Sequence, residues 1–405
     1  MRKVLSLAAA GLLAAGAAQA GTLTVANSDI VLYGGVSASF DWQNNDIFAR
    51  TIYPNFNAAG TYTGDSNLAN TFNRDNFHVS TFAIGLMKKA DANSPIGFNA
   101  AFASFTVPTL VASSAAINNA GLIAAGSTGS FQPWLAYVTI APVEGLSVDA
   151  GLLWNKFGEA PLTILNQHYT RGILFTGHPV LYAGARVNYD AGVAKVYVGY
   201  NQGGGLRQGS GNYVANIGGT NIDVGYNIKD AFEAGVTADL GMAKVGLHTY
   251  NESKGRDLYV ACVKADAGVA KVGLEIDYTK LDDAAKIPGA DDSAWGIALN
   301  IDPVVAPNIS VPIRIEYVDN GDGSDIGLTG TDAGTFVKSL GSGVYLTGEG
   351  STWSFTITPT YKPTKNTFAR LEAAYISTDK KVFVDDKENA KDNRTILAFE
   401  AGFLF

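Results

Sequence analysis

Cysteine, charge and long apolar runs are all scarce in this chain. Its single cysteine, Cys262, excludes an internal disulfide framework and a zinc site built from several thiolates. Charged residues make up 16% of the 405 residues, against roughly 25% in typical soluble domains. Beyond residue 20 there is no apolar run of the roughly 18 residues that a membrane-spanning helix needs. The formal net charge of −8 argues against a nucleic-acid partner, because phosphate binding requires a basic face.

Signals of catalysis are equally scarce. There are four histidines, His78, His168, His178 and His248, and the spacing of His168 and His178 along the chain does not match a metal-ligand motif. The sequence contains no Gly-x-Ser-x-Gly element, which would indicate a nucleophilic serine. We therefore predict no enzyme, no cofactor and no metal site. The oxygen-rich segment 319–325 leaves calcium binding open, with a plain turn-rich loop as the favoured alternative.

The N-terminus carries the features of an export signal. Residues 1–20 read MRKVLSLAAAGLLAAGAAQA, with two basic residues, a short apolar core and a small-residue cleavage site. This pattern predicts a secretory signal peptide, so that residues 21–405 would form the mature protein. A buried N-terminal helix is the alternative.

From about residue 29 onward, apolar and polar residues alternate with a period of two. Leu32, Val36, Ala38 and Phe40 share one face of an early segment, whereas Ser37 and Ser39 share the other. Segments of about ten alternating residues separated by turns are typical of a transmembrane β-barrel. We predict sixteen strands, an even number: 29–43, 75–89, 96–107, 131–141, 145–155, 179–190, 194–202, 230–241, 243–251, 257–266, 270–280, 292–302, 308–318, 351–361, 367–377 and 393–405. The least defined part is 203–230, where 222–228 could lengthen the eighth strand or belong to a loop.

The connections tend to alternate between short and long. Short ones such as 190–192 and 266–268 repeat an Asp-Ala-Gly-Val-Ala-Lys-Val sequence, with a looser copy around Gly241, and Asp and Gly favour tight hairpin turns. The long connections are 44–74, 108–130, 156–178, 203–229 and 319–350. Short periplasmic turns and long extracellular loops are expected of an outer-membrane barrel. The predicted fold is therefore an all-β, antiparallel transmembrane barrel.

One stretch, 146–202, resembles a known family. Its features are Gly151, the run Lys156-Phe-Gly-Glu159, the run Tyr169-Thr-Arg171 followed by Leu174-Phe175, then Pro179, Gly184, Tyr189 and a strand ending Val198-Gly-Tyr-Asn201. These features resemble the OmpL-like beta-barrel porin family. The resemblance implies an outer-membrane porin, with a homotrimer expected of porins of this size, and it implies no particular substrate.

The third long loop, 156–178, is the candidate pore constriction. In general porins, to which this architecture is similar, that loop folds into the lumen and narrows it. The candidate constriction residues carry charge of both signs: Lys156, Glu159, His168, Arg171 and His178. A surface loop packed by its own apolar residues is the alternative.

Charges on the polar phase of the strands should face the lumen, because a charge facing lipid is costly. The candidate lumen residues are Arg186, Lys195, Glu233, Glu275, Asp277, Arg314, Glu316, Arg370 and Glu372. The full polar phase carries more acidic than basic positions, which suggests a weak cation preference, with an unselective polar lumen as the alternative. We also expect Trp42, Trp134, Trp154, Trp295 and Trp353 to form interfacial girdles, with core packing as the alternative.

Taken together, these features predict an outer-membrane porin that allows passive diffusion of small hydrophilic solutes or ions. The expected partners are outer-membrane lipid, those solutes or ions, and two further copies of the chain. A substrate-specific channel on the same fold and a structural or adhesive barrel acting through its long loops are the alternatives.

Overall fold

The computed structural model describes residues 23–24, 29–47, 52–56, 62–67, 75–91, 94–110, 115–118, 121–125, 131–160, 162–202, 214–217, 220–223, 230–253, 255–282, 292–322, 349–379, 383–385 and 390–405. The predicted signal peptide, 1–20, lies outside these residues. So do residues 323–325 of the calcium-candidate segment 319–325.

Sixteen long strands dominate the described residues, as the alternation predicts. They are β1 Ile30–Gln43, β2 Asp75–Lys88, β3 Ile96–Val107, β4 Gln132–Val143, β5 Leu146–Trp154, β6 Leu181–Asp190, β7 Ala194–Asn201, β8 Ala231–Asp239, β9 Ala243–Glu252, β10 Arg256–Asp266, β11 Ala270–Leu281, β12 Ser293–Ala306, β13 Ile313–Asp322, β14 Glu349–Ile357, β15 Thr367–Thr378 and β16 Asn393–Leu404. Among the described residues, no helix is both long and apolar enough to cross a membrane.

The strands close into one antiparallel barrel. Each strand pairs with its neighbour in sequence, from β1 with β2 through β15 with β16. The last strand then pairs with the first, with Phe399 opposite Phe40 and Glu400 opposite Ser39. Closure leaves no sheet edge, so the backbone groups of every barrel strand find partners within the sheet.

Alternation places apolar side chains outside the barrel and polar ones inside. In β16, Leu397, Phe399 and Phe403 are exposed on the outer surface, whereas Arg394 and Glu400 are buried. An apolar outer face with a polar interior is the pattern of a barrel in lipid. The sequence-based prediction of the fold is confirmed.

Three of the short turns share one geometry. Gly192, Gly241 and Gly268 have φ values of +88°, +88° and +79°, a region that favours glycine. Each glycine N–H donates to the side chain of the aspartate two residues before it, at 2.9, 3.0 and 2.9 Å. This aspartate–glycine pair explains why the same sequence recurs at these turns.

Short additional strands accompany the barrel, and two prolines explain where predicted strands break. Ile309–Ser310 and Thr360–Tyr361 pair with each other, apart from β13 and β14. Pro312 and Pro359 separate these pieces from the main strands, because proline lacks the N–H that a sheet ladder needs. The remaining short strands are Leu23–Thr24, Asp46–Ile47, Ile52–Phe56, Tyr62–Asn67, Ala115–Asn118, Gly121–Ala125, Val214–Ile217, Thr220–Asp223, Phe383–Val384 and Ala390–Lys391.

The least defined part of the prediction, 203–230, belongs to the connection between β7 and β8. Val214–Ile217 pairs with Thr220–Asp223 as a separate two-stranded hairpin. The eighth strand begins only at Ala231.

The tryptophans divide between two environments, so the girdle prediction is partly wrong. Trp295, near the start of β12, and Trp353, in the middle of β14, are 43% and 46% exposed on the outer surface. Trp134 and Trp154 are buried instead, with their rings 5.8 Å apart and edge to face. Trp134 lies where the register of β4 with β3 shifts between Pro133 and Leu135, and Trp154 is the last residue of β5. Both rings pack in the interior against the connection between β5 and β6.

Candidate functional site

The connection between β5 and β6, residues 155–180, lies inside the barrel, and we call it the inner loop. It contains two single 3₁₀ turns, Thr163–Leu165 and Leu174–Gly177. Its polar groups reach the inward faces of strands on widely separated parts of the wall, from β11 through β16 to β2. One segment can contact all these strands only from within the barrel. The loop therefore lies within the barrel, and its role as a pore constriction stays a prediction.

Glu372 on β15 makes the densest contact with the inner loop. Its carboxylate accepts hydrogen bonds from Tyr169 N at 2.6 Å, Thr170 N at 2.9 Å and Thr170 Oγ1 at 2.5 Å. The hydroxyl of Thr358, on the wall, donates to the same carboxylate at 2.9 Å. A buried carboxylate is stabilised by such charge-assisted bonds, and here they fix the middle of the loop to the wall.

A second contact joins the first part of the loop to β15 and β16. Arg370 forms a buried ion pair with Glu400, its Nε lying 2.8 Å from Oε2. The guanidinium also donates to the carbonyls of Asn166, at 2.7 Å, and Thr163, at 2.9 Å. Thr163 in turn donates its hydroxyl to Glu400 at 2.5 Å. Both members of the pair thus hold the same loop segment.

Arg314 on β13 provides a third contact. Its Nη1 lies 2.7 Å from Glu159 Oε1 of the loop, and its Nε lies 3.2 Å from Glu316 Oε2 on its own strand. Nη1 also donates to the carbonyl of Thr170 at 3.0 Å. Burial raises the pKa of Glu159, but Arg314 and Arg171 outweigh burial, so its net pKa lies below the usual value. Glu159 is therefore a carboxylate at neutral pH.

Arg171 is directed back into the loop rather than toward the wall. Its guanidinium donates to the carbonyls of Ala160 and His168 and also to that of Tyr169. Its backbone pairs with the segment after β3, donating to Pro108 O at 2.7 Å. Desolvation lowers the pKa of Arg171 to about 10. This arginine therefore determines the shape of the loop.

The two loop histidines contact different parts of the wall. His168 Nδ1 lies 2.7 Å from Thr358 Oγ1. Desolvation, and then the positive charge of Arg314, hold its pKa well below the usual value, so the ring is neutral at neutral pH. His178 Nε2 lies 2.7 Å from Asp277 Oδ2 on β11. Desolvation lowers the pKa of His178, but Asp277 outweighs it and the net pKa is raised.

On the opposite side of the barrel, Arg186 and Glu233 pair across a glycine. Arg186 on β6 and Glu233 on β8 both lie in register with Gly199 on β7. Arg186 Nε and Glu233 Oε1 are 2.9 Å apart, and Tyr182 donates its hydroxyl to Glu233 at 2.5 Å. A Cβ at residue 199 would lie 2.4 Å from Glu233 Oε1. The glycine therefore gives the carboxylate the space it needs to reach Arg186.

Lys156 begins the inner loop beside this pair. It is half-buried, and no ion pair or hydrogen bond of its ammonium is found among the described residues. Desolvation, with Arg186 nearby, lowers the pKa of Lys156 to about 8. At neutral pH it is still predominantly protonated.

Part of the inner wall stays uncovered by the loop. Along β14 and the segment that follows it, inward side chains from Thr352 to Thr360 are all buried. On the wall from β6 to β12, inward side chains near the short turns are partly or fully exposed. These are Asn188, Thr237, Lys264, Lys271 and Asn300. The interior therefore has one covered side and, near the short turns of β6–β12, one exposed side. Farther along these strands, inward side chains such as Arg186, Glu233 and Asp277 are buried.

The structure brings most predicted site residues together in two groups. Glu159, Arg171, Arg314, Glu316, Arg370 and Glu372 lie where the loop meets β13–β16, and His178, Glu275 and Asp277 where it meets β11. Lys195 lies apart from both groups, paired with Asp190 at the rim.

Charge and alternation in the sequence do not mark the inner-loop residues Thr163, Asn166 and Thr170 as site residues. Their contacts to Glu400, Arg370 and Glu372 depend on the path of the loop. The one feature of the sequence that points to Thr170 is the run Tyr169-Thr170-Arg171, which is part of the family resemblance.

Comparison with known proteins gives one family. A family model described as "Putative beta-barrel porin-2, OmpL-like" matches residues 30–405. Among curated proteins, none matches the chain significantly.

Solved porin structures share the fold at low identity. An anion-selective porin from Comamonas acidovorans aligns with a TM-score of 0.56 at 12% identity, covering 93% of this chain and 99% of that one. In-vitro folded OmpT, an outer membrane protein of Vibrio cholerae, aligns with a TM-score of 0.55 at 10% identity, covering 95% and 100%. Salmonella typhi OmpF, in a complex with daunomycin, gives 0.55 at 11% identity, covering 92% and 97%. These likenesses concern the fold alone.

Proposed function

The chain belongs to the OmpL-like beta-barrel porin-2 family of outer-membrane porins, and on that premise we propose that it is a passive diffusion channel for small hydrophilic solutes and ions. Barrels of about sixteen strands are wide enough to enclose an aqueous channel. Residues 1–20 would direct export as a cleaved signal peptide, leaving 21–405 as the mature barrel.

The path of the inner loop is the observation that carries this proposal. The loop is attached to the wall from β11 to β2, and the exposed inward residues lie on the wall from β6 to β12. Solutes would pass along this exposed side, between the wall and the loop. The constriction would then be formed by the loop together with the side chains facing it, Lys156 and the Arg186–Glu233 pair among them.

The charges of this interior favour weak selectivity. Glu233, Glu316 and Glu400 are each buried beside an arginine, so much of the acid excess is neutralised. The exposed side carries both signs, for example Lys264 and Asp239. We therefore expect any cation preference that follows from the acid excess to be small.

We also propose that the channel is a homotrimer. The proposal rests on the resemblance to porins. One solved OmpT structure of Vibrio cholerae with this fold is described as a trimer form.

Liposome swelling tests the proposal. Vesicles containing refolded residues 21–405 should swell in isosmotic arabinose or glucose and swell progressively more slowly with larger sugars. Protein-free vesicles and vesicles with heat-denatured protein are the controls. Equal absence of swelling with all sugars, from a barrel shown to be folded, would contradict a diffusion channel.

A solute-specific channel on the same fold is the second candidate. The observation that favours it is Lys156, a half-buried ammonium near the start of the inner loop. The positive charge of Arg186 nearby contributes to the lowered pKa of Lys156. This arrangement would attract anionic solutes such as small carboxylates. Block of ion current by one such solute at low concentration, absent in Lys156→Gln, would support this candidate.

A further inference from the structure

Three metal-ligating groups meet where the end of the inner loop contacts β11. His178 Nε2 lies 2.7 Å from Asp277 Oδ2 and 3.8 Å from Glu275 Oε1. One ligand atom from each residue can be chosen so that all three lie within 4.8 Å of one another. We propose that these residues form a binding site for a divalent transition-metal cation of the Zn²⁺ class.

The topology explains how these groups come together. Glu275 and Asp277 are two residues apart on β11, so their side chains point to the same, inward face. His178 approaches from the loop, shortly before β6 begins at Leu181. The set is therefore not local in sequence, which is why a search for histidine spacing along the chain does not find it.

The separations suit a metal without movement of the backbone. Zinc–nitrogen and zinc–oxygen bonds of about 2.0–2.2 Å in a tetrahedral site place neighbouring donor atoms roughly 3.3 Å apart. The observed 2.7 and 3.8 Å lie on either side of that value. A small rotation of the Glu275 and His178 side chains would bring both into range.

The electrostatics of the cluster leave room for a cation. Asp277 is fully buried, and its Oδ1 has no hydrogen-bond partner. Within the described part of the chain, His178 is the one basic group in ion-pair distance of either carboxylate. A buried charged oxygen without a partner is costly. A dication would neutralise both carboxylates and leave His178 neutral as a ligand.

The donor set selects the class of metal. An imidazole nitrogen with carboxylate oxygens suits Zn²⁺, Cu²⁺ or Ni²⁺, whereas Ca²⁺ and Mg²⁺ prefer oxygen ligands throughout. Three protein ligands leave one coordination position for water. Because Glu275 is only half-buried, that position would face the interior of the barrel.

Cys262 requires a separate control. It lies opposite Glu275 in the pairing of β10 and β11, and its Sγ is 3.9 Å from His248 Nε2. Thiols bind the same metals, so binding through Cys262 must be distinguished from binding through His178. Cys262→Ser keeps the size of the side chain and removes most of its affinity for metal.

Calorimetric titration of ZnCl₂ into the refolded, EDTA-treated and dialysed barrel tests the proposal. We expect one Zn²⁺ per chain in the wild type. His178→Gln and Asp277→Asn should each weaken binding at least about tenfold, since even outer-sphere changes at metal sites cost roughly 10–100-fold. Glu275→Gln, at a half-buried position, provides the same test if His178→Gln or Asp277→Asn fails to fold. Cys262→Ser and His168→Gln should bind as the wild type does.

Any of three results would overturn the site. The first is the absence of stoichiometric Zn²⁺ binding by a wild-type barrel that shows the electrophoretic mobility of the folded form. The second is unchanged affinity in folded His178→Gln, Asp277→Asn or Glu275→Gln. The third is loss of binding in Cys262→Ser. Because the readout is binding, the test does not depend on whether the barrel conducts ions.

Discussion

Removing the carboxylate of Glu372 should release the middle of the inner loop. In Glu372→Ala, the buried N–H groups of Tyr169 and Thr170 lose their acceptor, and each unpaired buried donor costs about 1–3 kcal/mol. The attached state of the loop is therefore weakened by about 2–6 kcal/mol in total. Since 1.4 kcal/mol corresponds to a factor of ten, the midpoint of about 4 kcal/mol shifts attachment by roughly three orders of magnitude.

Single-channel recording in planar bilayers measures this release. Glu372→Ala should show higher mean conductance and more current noise than the wild type, because a freed loop moves into and out of the path. Glu372→Gln keeps one acceptor oxygen and should give an intermediate effect. Glu144→Ala, at the exposed turn between β4 and β5, is the matched control and should leave the current unchanged. Wild-type conductance and noise in a folded Glu372→Ala barrel would refute the role given to this contact.

Three further substitutions test other parts of the account. Gly199→Ala should lower the free energy of unfolding by about 1–3 kcal/mol through overpacking against Glu233, which is measured as a lower urea midpoint. Gly273→Ala is the control, because the nearest atom to a new Cβ there is 3.7 Å away. Equal midpoints for the two variants would contradict the packing argument. Because the pKa of Lys156 is lowered to about 8, the reversal potential in a salt gradient should move toward cation preference as pH rises from 7 to 9. This shift should disappear in Lys156→Arg, which keeps its charge throughout, and a wild-type shift that persists in that variant would assign it to another group. Leu247→Arg places a charge on the outer face of β9 and should destabilise the barrel in lipid by about 2–4 kcal/mol at mid-depth. An unchanged free energy of unfolding from vesicles would contradict an outward orientation of residue 247.

The strands could be predicted because a barrel repeats one simple requirement along the chain. Each strand must present apolar residues outward and polar residues inward, so the period of two marks nearly every strand. The exceptions have local causes. Pro312 and Pro359 interrupt ladders that the alternation alone would continue, and the boundaries differ there.

The inner loop shows where this pattern stops being informative. Trp134 and Trp154 look like girdle residues in the sequence, yet both are buried in the interior. The pattern marks Glu372 as inward-facing, but its loop partners Tyr169 and Thr170 depend on the path of a segment with no periodicity. Contacts between distant segments, such as His178 with Asp277, need the three-dimensional fold.

The most direct test of the account is the single-channel conductance of refolded residues 21–405. A porin with an open path along the loop should insert in discrete steps, with conductance proportional to salt concentration. A variant in which the inner loop is shortened should conduct more. A folded barrel that gives no conductance, with and without the loop, would contradict the claim that this protein is a diffusion channel.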